Sequence, residues 1–272
     1  MRSQKLRVVA VVVISIVMAF LRTVIVTLNM EKNVISNDTY YLPDKAEITA
    51  FTVICVVFVL LFLYSGIALG RKKVIHLERS LGAMPAASLI LAFSLIGAAL
   101  FYVGVLIRGG YEFTVFEFIL AILTLLSAIK FLISGLNYNK KLKNESYHAA
   151  AALIPIVFSA VRILSDFINT SAAPLASSGA YHIIGLVAVL LYFLSEGKSY
   201  IAETSAAPFN SFGYLSIFFL LVYSIPNFFL HCFGTFFFDF KSAFSVVDFG
   251  LVVYIAARLS SAQITAKTEK AE

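Results

Sequence analysis

The chain predicts an all-α fold, a polytopic integral membrane bundle of eight helices, from three observations. Of its 272 residues, 60% are hydrophobic and 13% charged, against roughly 25% charged in an ordinary soluble domain. The apolar residues fall into eight continuous runs of spanning length, where about 20 are needed to cross a bilayer. Lysine and arginine concentrate in alternate connecting segments, as the positive-inside rule requires. Each run lacks the polar alternation of a barrel strand, so the spans are helices.

The first run, 7–28, follows the basic start MRSQKLR. It is longer than a signal core of about 7 to 15 residues and lacks a small-x-small cleavage site, so it reads as a signal anchor. The loop that follows carries Tyr40, Tyr41 and Pro43, aromatic residues suited to an interface. After the second run, 48–69, comes RKKVIHLER, Arg71 to Arg79, a cluster that fixes topology and has the charge to meet anionic lipid. The third and fourth runs are 85–106 and 114–136; Lys130 in the latter is expected to snorkel to the inner surface. The fifth, 148–168, contains PIVFSAVRILSD, which places Arg162 and Asp166 in a segment otherwise fit for lipid. The sixth, 179–195, is the shortest, the seventh, 210–232, holds Pro226 as a kink, and the eighth is 242–260. Residues 261–272 read as a disordered cytoplasmic tail.

With the N-terminus inside, the inner segments hold fourteen lysines and arginines and the outer segments four, with Arg22, Lys130 and Arg162 inside spans. Both termini are therefore expected in the cytoplasm, in a plasma membrane or a bacterial inner membrane. The bilayer itself is the first partner. The net charge of +6 is explained by these loops and does not point to nucleic acid.

The halves 1–143 and 144–260 resemble one another. Ile14 to Arg22 and Ile154 to Arg162 both read IxIVxxxxR, Val59 to Ser65 matches Val189 to Ser195, and VFEF from Val115 aligns with VVDF from Val246, acid on acid. Four spans is an even number, so the halves form a parallel repeat of spans 1–4 and 5–8 about the membrane normal.

Charged residues within spans carry the functional expectation, because one at the bilayer centre costs about 2.5 to 3.5 kcal/mol even on a lenient scale. Arg22, Arg162, Asp166, Glu117 and Asp248 fall in the outer half, with His182 and His231 near them in depth. Arg162 can pair with Asp166, four residues on, while the acids left for Arg22 are Glu117 and Asp248. These residues form either a vestibule in which two arginines hold a carboxylate or phosphate, or ion pairs that tie helices together. The first makes the chain a transporter or binding component for a small anionic or zwitterionic solute. The second makes it a non-transporting subunit, sensor or assembly partner with a protein partner. HExxH, GxSxG, P-loop and GxGxxG patterns are missing, so the reading leans away from an enzyme. Two histidines on facing helices would suit haem, but no motif supports them, and no cofactor or metal is assigned.

Overall fold

The computed structural model describes residues 2–29, 31–32, 40–41, 46–71, 73–76, 83–107, 115–136, 145–171, 177–201, 204–233 and 240–266. The side chains of some residues near helix ends, His231 among them, lie outside the described set. Eight helices follow in order: α1 Arg2–Asn29, α2 Ala46–Gly70, α3 Met84–Ile107, α4 Val115–Leu136, α5 Glu145–Ser171, α6 Ser177–Lys198, α7 Ala206–Phe233 and α8 Phe240–Ser261. All eight are long and apolar enough to cross a membrane.

Local chemistry explains the boundaries. Pro85 is the second residue of α3 and Pro208 the third of α7, first-turn positions where a missing N–H removes no helical bond. Glu47 and Glu117 sit in the first turns of α2 and α4, where a carboxylate meets the positive end of the helix dipole. Several helices exceed the apolar runs, among them α1, which begins at Arg2, α5, which begins at Glu145, and α7, which begins at Ala206. Polar residues extend α1 and α5, whereas α7 gains the buried Ala206 and Phe209.

One helix is central. Of the spanning part of α7, 83% is buried, against 22% of α2. Helices α1, α2, α6 and α8 all pack on α7; α3 packs on α8, α4 on α3, and α5 on α4 and α6. Buried side chains from all eight helices form one continuous core, and α4 meets α5 directly, so packing runs across the boundary at residue 143. Val13, Leu60, Phe93, Ile119 and Val157 point outward, as lipid-facing residues do.

Apolar side chains gain little by leaving lipid, so close backbone approach becomes the means of packing. Gly66 and Gly70 of α2 face Ser211 and Ala207 of α7, and a Cβ at Gly70 would run into the Ala207 backbone. Gly66-x-x-x-Gly70 is thus a small-residue seam, met by a second pair of small residues also four apart.

Short strands close the two ends. β1 (Glu31–Lys32) pairs antiparallel with β2 (Tyr40–Tyr41). At the opposite end, β3 (Lys73–His76) lies between β4 (Thr204–Ser205) and β5 (Gln263–Ala266), antiparallel to both. Two expectations change here. The stretch read only as a basic loop supplies the central strand, with Val74 and Ile75 buried. The tail expected to be disordered from residue 261 forms a strand over Gln263–Ala266 in register with it, Ile264 opposite Ile75. Adjacent β-branched residues, Val74 and Ile75 in KVIH and Ile264 and Thr265 in QITA, suit a ladder, and pairing satisfies backbone groups that would otherwise face the bundle end. Residues 267–272 lie outside the described set.

Candidate functional site: a buried charge network

Helices α5, α6 and α8 bring four of the seven candidate residues together. Arg162 Nη1 lies 2.7 Å from Asp248 Oδ1, the two side chains 1% and 0% exposed. His182 stands between two carboxylates, with Nδ1 2.8 Å from Asp166 and Nε2 3.1 Å from Asp248. Arg162 Nη2 is also 3.1 Å from His182 Nε2. Ser224 of α7 donates to Asp248 Oδ2 at 2.9 Å. Rings complete the enclosure: His182 stacks on Tyr223 at 4.0 Å, and the Arg162 guanidinium lies 4.6 Å from the centre of Phe244. Asp166 is the most open member, its side chain 26% exposed.

This geometry links a proton to an arginine contact. With a proton on Nδ1 alone, His182 donates to Asp166 and its Nε2 accepts from Arg162. With a proton on both nitrogens, the ring donates to both carboxylates, and Arg162 Nη2 loses its acceptor. The two carboxylates flank opposite edges of one imidazole, an arrangement that shares a proton rather than converging on an ion. Among the described residues, no group of three His, Cys, Asp or Glu is placed to hold a metal.

Arg22 belongs elsewhere, and its expected acidic partner is corrected. Its Nη1 donates to the main-chain carbonyl of Val222 at 2.8 Å, and its guanidinium lies 4.5 Å from the centre of the Tyr181 ring. Asp248 is taken by Arg162. Glu117 is buried in the first turn of α4, which packs on α3 and α5, whereas α1 packs chiefly on α7. No carboxylate pairs with Arg22 among the described residues. The reason lies in α7: Pro226 has no N–H to give the carbonyl four residues back, which is Val222, and Arg22 supplies the missing donor.

The two arginines therefore have different partners, one lying over Tyr181 and the other against its neighbour His182. The closest contacts of the predicted Arg162–Asp166 pair go to other helices, Asp166 to His182 and Arg162 to Asp248 of α8, while Asp166 stays within electrostatic reach of Arg162. The side chain of His231, near the end of α7, lies outside the described residues.

Several contributors were not singled out from sequence. Val222, Tyr223 and Ser224 are consecutive and touch Arg22, His182 and Asp248 respectively. The signal was the stretch YSIPN, which drew attention only for its proline.

A second polar cluster lies at the sheet end. Arg258 Nε is 2.9 Å from Glu196 Oε1, and the same oxygen accepts from Tyr254 at 2.9 Å and Tyr200 at 3.3 Å. Arg258, expected among the inner flanking charges, is buried here and also donates to the Tyr200 hydroxyl. Lys130 is half-buried, and its ammonium lies 3.9 Å from the centre of Phe131 and 5.7 Å from that of Tyr254. Burial pushes the Tyr200 phenol above its ordinary range, with Arg258 working against that shift and Glu196 adding to it.

No family, characterised protein or solved structure matches the chain, so its functional reading rests on this geometry.

Proposed function

We propose that the chain is a multi-pass membrane carrier, or membrane-embedded binding component, for a small anionic or zwitterionic solute, working at Arg162 and linked to a proton on the Asp166–His182–Asp248 set. The observation that supports it is an excess of titratable groups. A helix tie needs one acid for one base, whereas here a single arginine is joined to a chain of two carboxylates with an imidazole between them. Taking up a proton at His182 Nε2 withdraws an acceptor from Arg162, and the freed donor suits the carboxylate of a solute. Residues of this kind inside a span point to ion or proton pathways.

On this reading the sheet end faces the cytoplasm, as the fourteen basic residues of the inner segments support. An ancestral duplication accounts for the matched Arg22 and Arg162; the halves have since diverged, because α5 packs along α6 whereas α1 packs on α7 and barely meets α2.

The test is thermal unfolding in mild detergent against a panel of small carboxylates and zwitterions at acid and neutral pH. Native-state binding adds about 2.7 kcal/mol at a hundredfold excess over Kd. One compound stabilises the wild type, more at acid pH, and Arg162→Lys weakens the effect. If no compound stabilises the wild type at either pH, the proposal fails.

A second reading has its own support. Both arginines are nearly sealed, at 3% and 1% exposure, and Arg22 donates to a backbone carbonyl. Those facts favour a non-transporting module whose charges tie helices.

A further inference from the structure

The sheet-end cluster is not electrically balanced. Lys130 and Arg258 bring two positive charges and Glu196 one negative, leaving one positive charge over. Glu196 is already engaged: Arg258, Tyr254 and Tyr200 all donate to its Oε1. Lys130 is within electrostatic reach of both Glu196 and Arg258, yet its ammonium rests over aromatic faces and meets no hydrogen-bond acceptor among the described residues. An aromatic face offers an ammonium partial compensation and no acceptor lone pair. Tyr192 lies one helical turn before Glu196 on α6, is fully buried, and its hydroxyl has no hydrogen-bond partner among the described residues.

Lys130 is half-buried rather than sealed. It lies six residues before the end of α4 at Leu136, a depth of about 9 Å along the helix. Arg258 is in the last turn of α8. The cluster therefore sits within reach of the headgroup layer and the aqueous phase at that end.

We propose that this cluster is an anion-binding site in which Lys130, with Arg258 behind it, receives a phosphate or carboxylate group. The anion supplies the missing negative charge and gives the ammonium an acceptor. Headgroups of anionic lipids and soluble phosphate share this chemistry. The site is at the opposite end of α6 and α8 from the Arg162 network and stands whether or not that network serves transport.

The experiment uses the full chain in nanodiscs, with thermal unfolding as readout. One arm adds inorganic phosphate at constant ionic strength to phosphatidylcholine discs; the other replaces part of the phosphatidylcholine with phosphatidylglycerol and omits phosphate. The melting temperature rises in at least one arm, phosphate alone identifying a soluble anion and phosphatidylglycerol alone a lipid headgroup. Lys130→Gln abolishes the rise and Lys130→Arg retains it, while all three proteins melt alike without anion. A rise of equal size in Lys130→Gln, or none in either arm for the wild type, overturns the proposal.

Discussion

Arg22 on α1 donates to the carbonyl of Val222 on α7, the acceptor that Pro226 leaves without a helical partner. A charge and a helix breaker, each unfavourable in a bilayer alone, thus compensate one another. Kinked membrane helices are tolerated where neighbours satisfy the freed backbone.

That relationship predicts coupling. Pro226→Ala restores an N–H to Val222, so Arg22→Gln destabilises the Pro226→Ala background less than it does the wild type. The double-mutant cycle in detergent unfolding gives an interaction energy of about 0.5 to 3 kcal/mol. Strict additivity contradicts the capping role.

Arg162 and Asp248 form a sealed pair. Removing one partner leaves a buried charge uncompensated, at a cost of about 3 to 5 kcal/mol, whereas apolar replacement of both is often neutral. Arg162→Met therefore unfolds at much lower temperature, and Arg162→Met with Asp248→Leu recovers most of the loss. A double variant as unstable as the sum of the singles would show that the remaining network, not the pair, holds these helices.

The α2–α7 seam predicts a contrast between glycines. Gly70→Ala pushes a methyl into the Ala207 backbone, which cannot move as a side chain can; overpacking of this kind costs about 1 to 3 kcal/mol. Gly97→Ala on α3 meets nothing within 4 Å and is neutral or stabilising, by up to about 1 kcal/mol. Melting temperatures of the two variants side by side decide the matter.

Tyr200 gives a pH prediction. Its folded-state pKa is raised, chiefly by burial, with Arg258 opposing and Glu196 reinforcing. Its contribution is fully present below the unfolded value of about 10 and is lost as pH climbs from there toward the folded value. Unfolding followed above pH 9 falls less steeply in Tyr200→Phe than in the wild type. Parallel curves would mean that Tyr200 does not govern the alkaline limb.

Much of the fold was legible because spans announce themselves by length. Eight runs became eight helices, and Arg162, Asp166, His182 and Asp248 stood out as costly residues at one depth. Their pairing was not legible. Spacing of four suggested Arg162 with Asp166, but α8 offers a fully buried carboxylate where water cannot compete, and depth alone does not say which helices adjoin. Arg22 was misjudged because a backbone carbonyl leaves no trace in side-chain chemistry; only Pro226, four residues past Val222, hinted at it. The strand over Gln263–Ala266 was hidden because four residues with one alternation look polar until a partner is known. Gly66 and Gly70 carried a readable small-residue spacing that hydropathy does not register.

The most direct test of the central account is proton movement with solute. Vesicles containing the protein enclose a pH-sensitive dye, and each anion of the panel is added outside. At least one anion acidifies the interior of wild-type vesicles, and Asp166→Asn, altered at the most open member of the network, abolishes that acidification while folding normally. Wild-type vesicles that behave as empty ones with every anion, or Asp166→Asn vesicles that acidify at the wild-type rate, would contradict it.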